Sequence, residues 1–198
     1  ELLEKLDFAK MGLSDALLEN LSQLNYTKPT HIQTKIIPLF LEGKDIVACS
    51  KTGSGKTAAY MIPLINKLKC HSGVIGTRAL ILIPSRELAL QTSKCIRELI
   101  RGTDLKYAIV IGGHDYEGQF DSLASNPDIL IATPGRVMEI LQETKFTLTK
   151  VEHLVIDEAD ALFEMGFAPQ IREILKRVST KRQTMLLSAT IPAELSQF

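Results

Sequence analysis

Residues 46–57 read Ile-Val-Ala-Cys-Ser-Lys-Thr-Gly-Ser-Gly-Lys-Thr, in which a short apolar run is followed at once by a glycine-rich loop. The apolar run predicts a buried strand, and the residues after the loop predict a helix. A loop of small residues lets backbone N–H groups approach a phosphate, and the helix N-terminus adds its positive dipole end. The stretch therefore predicts a triphosphate-binding loop made by Thr52, Gly53, Ser54, Gly55, Lys56 and Thr57.

Two side chains of this loop have predicted roles in holding the nucleotide. Lys56 is placed to reach the β- and γ-phosphates, and the Thr57 hydroxyl is placed to ligate Mg²⁺. Ser50 stands where the general pattern has Gly, so the loop departs from the strict motif there. The sequence lacks an Asn-Lys-x-Asp guanine signature, since its nearest stretch, 66–69, ends in Lys. ATP is therefore a better prediction than GTP.

Further apolar runs follow the loop, and amphipathic segments separate them. The runs are short and mostly rich in branched residues, which predicts strands buried on both faces of a parallel sheet. The sequence thus predicts an α/β fold with a mostly parallel central sheet and helices on both faces. Ser14 is a predicted N-cap, Pro169 suits a first helical turn, and Pro38 and Pro63 predict a kink or an early stop. The predicted strands are 46–49, 79–83, 108–111, 129–132, 154–156 and 184–187, and the predicted surface loops are 71–77, 101–106 and 142–150.

Acidic residues follow one predicted strand directly, in the order Asp157-Glu158-Ala159-Asp160. Ligands of a parallel sheet bind at the carboxyl ends of its strands, so these acids are expected at the same edge as the glycine-rich loop. Asp157 is placed to hold Mg²⁺, and Glu158 is placed to orient and deprotonate an attacking water. A run of acids alone is also typical of a solvated helix start, and the nearby phosphate loop favours the catalytic interpretation.

Composition limits the class of protein. The 198 residues carry 23 Lys plus Arg and 23 Asp plus Glu. This balance argues against a broad basic face that binds duplex nucleic acid, but it allows a narrow strip of contacts along a single nucleic-acid strand. The sequence has three cysteines and no C-x-x-C pair, which disfavours a disulfide framework or a zinc site and favours a reducing intracellular compartment. Core packing is the predicted role of Cys49 and Cys95. No apolar run reaches the ~18 residues of a membrane span, and no signal peptide is evident. Since the chain begins at Glu1 without Met, we expect a single domain, 1–198, from a longer protein.

Seven motifs, in order, resemble those of one family. Asp157–Asp160 spells DEAD, and the chain resembles the N-terminal lobe of DEAD-box RNA helicases from end to end. The resemblance implies a RecA-like P-loop NTPase fold, with a helical region in 1–40 that carries the adenine-reading Q motif. The remaining matching segments are Tyr26-x-x-Pro29-Thr30-x-Ile32-Gln33 with Phe8 upstream, Pro84–Ala89, Gly112-Gly113, Thr133–Arg136 and Ser188–Thr190.

The resemblance also implies roles for individual residues. Gln33 would hydrogen-bond the adenine edge, and Phe8 or Tyr26 would pack on its ring, since a carboxamide offers both a donor and an acceptor. Asp160, Ser188 and Thr190 would couple the ATP state to RNA handling. The phosphates and riboses of a single RNA strand would be held, independently of sequence, by Arg86, Gly113, Thr133, Gly135 and Arg136.

The implied activity is that of an ATP-dependent RNA helicase that separates short duplexes or remodels RNA–protein complexes. The family's second lobe, absent from this sequence, carries arginines that stabilise the transferring phosphate. In related hydrolases such an arginine raises the rate of hydrolysis about 10³–10⁵-fold. We therefore expect the lobe alone to be nearly inactive, and the whole protein to act as a monomer without membrane contact. Residues 160–167 also resemble the nucleolar, ribosome-assembly branch, which implies a nuclear or nucleolar location and leaves the cytoplasm open.

Three other interpretations are disfavoured to different degrees. A small-molecule kinase would need an acceptor pocket and a lid, and it would leave Phe8, Gln33 and 133–136 unexplained. A non-enzymatic RNA clamp would not need both Lys56 and Glu158. Without the family resemblance, the sequence does not exclude a DNA helicase. Competition between RNA and DNA of identical sequence would distinguish the two, because only RNA offers a 2′-hydroxyl.

Overall fold

A computed structural model of the chain describes residues 7–113 and 115–198. Their strands form one six-stranded parallel sheet in the order β1-β6-β5-β2-β4-β3, which confirms the predicted fold class. The strands are β1 (Ile46–Cys49), β2 (Ala79–Leu82), β3 (Tyr107–Val110), β4 (Ile129–Ala132), β5 (His153–Ile156) and β6 (Gln183–Ser188). Residues 1–6 of the predicted helical region 1–40 lie outside the described residues.

Helices connect the strands and cover both faces of the sheet. A short 3-10 helix, Phe8–Lys10, precedes them. The α-helices are α1 (Asp15–Gln23), α2 (His31–Leu41), α3 (Lys56–Leu68), α4 (Arg86–Leu99), α5 (Tyr116–Ala124), α6 (Pro134–Glu143), α7 (Ala159–Glu164), α8 (Ala168–Arg177) and α9 (Ala193–Ser196). None of the helices in the part of the chain that the structure describes is long and apolar enough to cross a membrane.

Local sequence signals set most of the helix ends. The Ser14 side chain accepts a hydrogen bond from the backbone of Leu17, as its predicted N-cap role requires, and Pro169 lies in the first turn of α8. The predicted early stops at Pro38 and Pro63 are wrong, because α2 and α3 both continue beyond them. Proline removes one backbone hydrogen bond, and the tertiary packing of these largely buried helices compensates for it.

Two apolar cores lie on opposite faces of the sheet. Alternate residues of β2 show the division, since Ala79 and Ile81 join the core beneath α1–α4, whereas Leu80 and Leu82 join the core beneath α5–α9. The central strands β2, β4 and β5 are therefore buried on both faces or nearly so. Such burial explains their nearly continuous apolar sequence.

The edge strand β1 departs from the prediction of two buried faces. Val47 is 67% exposed, and Cys49 is also exposed, so neither packs in the core as expected. Among the described strands, β1 pairs only with β6, at the edge of the sheet. No residue of β1 belongs to the described core under α5–α9, so the face of β1 on that side of the sheet is not covered by it. Cys95 is partly buried and packs against the core under α1–α4. The predicted loop 142–150 is shorter than expected, because α6 continues to Glu143.

Candidate active site

Strand order brings the glycine-rich loop and the acids to one edge of the sheet. The loop follows β1 and the acids follow β5, and β6 is the strand between them. The backbone N–H of Ser50 donates to the carbonyl of Ser188 at 3.0 Å, and that of Asp157 donates to the carbonyl of Leu82 at 2.9 Å. These hydrogen bonds continue the pairing of β1 and β5 with their neighbouring strands by one residue. The glycine-rich loop and the acidic segment therefore begin from fixed positions.

Glycine is required at the end of the loop for two reasons. Gly55, the residue before α3, has a left-handed backbone with φ of 83°. A Cβ atom at this position would lie 2.8 Å from Nε2 of Gln33. A side chain here would therefore have a strained backbone and would push the Gln33 amide away from the loop.

The loop lysine contacts both acids. Nζ of Lys56 lies 3.0 Å from Oδ1 of Asp157 and 3.5 Å from Oε1 of Glu158. Lys56 is 7% exposed and Asp157 is fully buried. A buried carboxylate is costly unless it is paired and hydrogen-bonded, so these contacts stabilise the arrangement mutually. The structure thus brings the predicted phosphate-binding cation and the predicted metal ligand into direct contact.

Asp157 has two further hydrogen-bond donors. The backbone N–H of Glu158 donates to Oδ1 at 2.8 Å, and the phenol of Tyr60 donates to Oδ2 at 3.3 Å. Complete burial, together with the charge of Asp157, raises the pKa of Tyr60 well above its usual range, so the phenol keeps its proton. Sequence patterns did not single out Tyr60, because an aromatic residue in an apolar helix is typical of core packing.

Glu158 has an unusual backbone conformation. Its φ of 49° and ψ of 51° are left-handed, and it forms the N-cap of α7. Such a conformation costs a residue with a Cβ roughly 1–2 kcal/mol. The turn directs α7 away from the strand, and the Glu158 side chain, 30% exposed, lines the cavity beside the loop.

A cavity of about 550 Å³ opens beside the loop and is of the size that suits a nucleotide. It brings together the predicted residues Tyr26, Gln33, Thr52, Gly53, Gly55, Lys56, Thr57 and Glu158. Phe8, Ser54 and Asp157 lie outside its lining. Phe8 is 3% exposed and contacts the Tyr26 ring edge-on, Ser54 hydrogen-bonds Ser50, and Asp157 is fully buried. Leu88 and Gln91 also line the cavity, from α4, and the sequence did not indicate this role beyond their spacing of three residues.

Gln33 joins the start of α2 to the loop. Its Oε1 accepts from the Thr30 backbone at 2.9 Å, while the Thr30 hydroxyl accepts from the Gln33 backbone at 3.4 Å. This reciprocal pair is a capping box. The Gln33 Nε2 atom donates to the carbonyl of Gly55 at 3.1 Å. One amide hydrogen and one lone pair of this side chain remain for a ligand in the cavity.

The three predicted coupling residues form one network. Oδ2 of Asp160 accepts from the Thr190 backbone at 3.2 Å and from its hydroxyl at 3.0 Å. The Asp160 backbone donates to the Ser188 hydroxyl at 3.1 Å. Burial acts to raise the pKa of Asp160, but hydrogen bonds from Thr190, Ala161 and Ser188 outweigh it and keep that pKa below its ordinary value. The network connects α7 to the segment that follows β6.

The predicted RNA-contact residues follow the carboxyl ends of three neighbouring strands. Arg86 begins α4 after β2, Gly113 follows β3, and residues 133–136 follow β4. Because β2, β4 and β3 continue the sheet beyond β5, these segments extend along the edge that carries the acids. Arg86 and Gly113 are exposed.

Arg136 is held by several groups of the protein. Its side chain is 11% exposed, Nε donates to the Ile111 carbonyl at 3.3 Å, and one terminal nitrogen lies 3.0 Å from Glu139. The guanidinium also lies 5.1 Å from the centre of the Tyr116 ring. The sequence did not indicate that Tyr116 and Glu139 contact this arginine. A contact between Arg136 and RNA would have to share or replace these interactions.

The residues of the site fit a magnesium ion. Within residues 7–113 and 115–198, two donors occupy Oδ1 of Asp157 and one donor occupies Oδ2, so Oδ2 keeps an acceptor position. The Thr57 hydroxyl belongs to the first turn of α3 and lines the cavity. Carboxylate and hydroxyl oxygens are the donors that Mg²⁺ prefers, and few protein ligands are needed when phosphates supply the rest.

Comparison with known proteins identifies the family of the chain. Residues 30–198 match the family described as DEAD/DEAH box helicase. The chain is 53% identical over 191 residues to ATP-dependent RNA helicase DBP10 of Ajellomyces capsulatus, and 51% identical over 191 residues to that of Yarrowia lipolytica. Each alignment covers 96% of this chain and 21% of the relative, so the chain spans about a fifth of the length of these curated relatives.

Solved structures share the fold. A DEAD box protein from the hyperthermophile Methanococcus jannaschii superposes with a TM-score of 0.90 at 38% identity, covering 96% of this chain and 52% of that chain. A hypothetical ATP-dependent RNA helicase from Sulfolobus tokodaii superposes with a TM-score of 0.85 at 39% identity, covering 93% and 53%. The predicted RecA-like fold is thereby confirmed.

Proposed function

Because the chain belongs to the DEAD/DEAH box helicase family, we propose that it is the ATP-binding lobe of an ATP-dependent RNA helicase. The single observation that carries this proposal is the contact of Lys56 with both Asp157 and Glu158 beside a cavity of about 550 Å³. A phosphate-binding cation, a metal-binding carboxylate and a candidate base are thus within reach of one triphosphate. In this proposal residues 1–198 belong to one lobe.

The proposed binding of ATP begins with an exchange of partners at Lys56. The ammonium leaves the two carboxylates and pairs with the β- and γ-phosphates, and the N–H groups of residues 52–57 and the start of α3 receive the remaining oxygens. Gln33 contacts the adenine edge, and Tyr26 packs on the ring, with Phe8 behind it. Thr57 and Asp157 would hold Mg²⁺, which when bound neutralises charge on the phosphate oxygens.

Glu158 has the proposed role of general base. Once Lys56 has moved to the phosphates, the Glu158 carboxylate is free to orient a water molecule in line with the γ-phosphate and to accept its proton at Oε1 or Oε2. The left-handed backbone of Glu158 is consistent with this role, because strained conformations concentrate at functional sites. Asp160 lies two residues after Glu158. Through its hydrogen bonds it transmits the change in nucleotide state to Ser188 and Thr190.

The edge formed by the segments after β2, β3 and β4 is the proposed contact surface for one RNA strand. Arg86 and Arg136 supply positive charge, Thr133 supplies a hydroxyl, and Gly113 and Gly135 allow close approach of the backbone. Groups of this kind bind phosphate and ribose without reading bases. The formal net charge of +0 fits a narrow strip of this kind better than a broad basic face.

The remaining parts of the working enzyme are proposed from the relatives. A second RecA-like lobe would close over the nucleotide and supply arginines to the transferring phosphate, so that ATP and RNA bind together and hydrolysis resets the closed state. Strand separation would be local. The resemblance of residues 160–167 to the nucleolar branch of the family supports a role in ribosome assembly in the nucleolus. We infer that the protein acts as a monomer.

Phosphate release by the full-length protein, with and without single-stranded RNA, tests this proposal. We expect ATP hydrolysis that RNA stimulates, and weaker competition by a DNA strand of identical sequence, because DNA lacks the 2′-hydroxyl. Turnover that ignores RNA, or transfer of the phosphate to a small-molecule acceptor, would show that the function is a different one.

A further inference from the structure

Among the described residues, Tyr60 and Lys56 are the two side chains that contact Asp157 through a hydrogen bond or an ion pair. It lies four residues after Lys56 and three after Thr57 on α3, so it neighbours each of them along the helix. Tyr60 is fully buried within the apolar core under α1–α4. Phenylalanine would fill the same space, and the phenol oxygen is therefore the part of Tyr60 that packing alone does not explain.

The acceptor positions of Asp157 indicate what the phenol does. Oδ1 receives the Glu158 N–H and the Lys56 ammonium, which together occupy both of its in-plane lone pairs. In the part of the chain that the structure describes, Oδ2 receives only the Tyr60 phenol, at 3.3 Å. When Lys56 moves to a triphosphate, Tyr60 becomes the one side chain of this set that still holds the carboxylate.

We propose that Tyr60 is a positioning residue, whose phenol fixes the orientation of the Asp157 carboxylate so that the second lone pair of Oδ2 faces the metal. This inference rests on the proposed function of the site. The hydrogen bond restricts rotation of the carboxylate after Lys56 has left it. A partner that orients a metal ligand typically changes metal affinity about 10- to 100-fold. At 3.3 Å the bond is long, so a smaller effect is expected.

Equilibrium binding of a fluorescent ADP analogue to the full-length protein, titrated with Mg²⁺, tests the inference without requiring turnover. For Tyr60→Phe we expect the free Mg²⁺ concentration of half-maximal effect to rise roughly 5- to 30-fold. Affinity measured without Mg²⁺ should stay within about twofold of wild type, since the phenol does not line the cavity. The matched control is Tyr107→Phe on β3, where the lost phenol contacts only Arg97, at 3.4 Å, among the described hydrogen bonds.

The outcomes separate the inference from the function on which it rests. A Tyr60→Phe curve that superimposes on the wild-type curve overturns the inference and leaves the proposed function intact. Equal loss of affinity with and without Mg²⁺, or failure of the variant to fold, also overturns it, because the hydroxyl would then support the fold generally. If the wild-type protein itself shows no Mg²⁺-dependent nucleotide binding, the proposed function fails, and the positioning role falls with it.

Discussion

The side-chain amide of Gln33 donates to the carbonyl oxygen of Gly55 at 3.1 Å, so that the first turn of α2 is bonded to the last residue before α3. The same amide accepts from the Thr30 backbone at 2.9 Å and completes a capping box. One side chain therefore supports a helix start and positions the phosphate loop. A nucleotide that contacts Gln33 would act on both.

Replacing Gln33 by Glu should separate its two contacts. A carboxylate still accepts from Thr30, so the capping box is kept, but it has no proton for the Gly55 carbonyl. We expect Gln33→Glu to lose most ATP affinity and, because it buries an unpaired carboxylate at a position 2% exposed, to lower the free energy of unfolding by about 1–3 kcal/mol, whereas Gln33→Ala loses both the cap and the affinity, at about 1–2 kcal/mol. Urea unfolding and nucleotide titration measure the two effects. Gln23→Ala, on the exposed face of α1, is the control, and unchanged ATP affinity in both variants would contradict this account.

Removing the Lys56 ammonium should destabilise the fold because it leaves Asp157 buried with two donors in place of three. We expect Lys56→Met to lower the free energy of unfolding by about 2–4 kcal/mol and to abolish nucleotide binding. The double variant Lys56→Met with Asp157→Asn should recover most of the stability and none of the binding. Lys51→Met, an exposed lysine of the same loop, should match wild type in urea unfolding. A Lys56→Met protein as stable as wild type would show that the ion pair does not matter to the fold.

The network of Asp160, Ser188 and Thr190 should affect RNA handling more than ATP chemistry. Thr190→Ala removes the hydroxyl that donates to Asp160 at 3.0 Å and leaves the backbone donor at 3.2 Å. We expect RNA-stimulated phosphate release to remain within about threefold of wild type and duplex separation to fall about tenfold. Ser196→Ala in α9 serves as the control. Equal loss of both activities would mean that Thr190 belongs to the hydrolytic site itself.

His153 should make stability depend on pH on the acid side of neutrality. Burial lowers the pKa of His153 to about 4, with a contribution from the charge of Lys67, while the unfolded chain titrates near 6.5. The unfolded state therefore binds the proton first as the pH falls, and stability is lost between about pH 6.5 and pH 4. We expect a loss of about 2 kcal/mol between pH 7.5 and pH 5 from this group.

Urea unfolding at several pH values checks this dependence. His153→Gln should flatten the slope between pH 6.5 and pH 5, and His31→Gln, at an exposed position, should keep it. A slope that persists in His153→Gln would assign the effect to other groups.

Much of the fold could be predicted because the signals are local. The run before Ser50 and the run before Asp157 are short and apolar, and strands end where polar motifs begin, so the sheet edge that carries the site followed from the parallel topology. Ser14 and Pro169 marked helix starts through hydrogen bonds and φ preferences within a few residues of each.

What sequence patterns missed depends on tertiary neighbours. An apolar run does not reveal whether its strand is central or at an edge, so Val47 and Cys49 were predicted inside and are exposed. Proline does not end α2 at Pro38, because packing against the core outweighs one missing hydrogen bond. Tyr60 contacts a residue 97 positions away, and no periodicity reports a contact of that kind.

The most direct test concerns Glu158, measured in the full-length protein by phosphate release and by retention of single-stranded RNA with ATP present. Glu158→Gln keeps the shape and the contact distance of the side chain and removes the base. We predict loss of turnover by about 10²–10⁴-fold with ATP-dependent RNA binding preserved. Turnover at the wild-type rate would contradict the assignment of the loop and the acids to one hydrolytic centre.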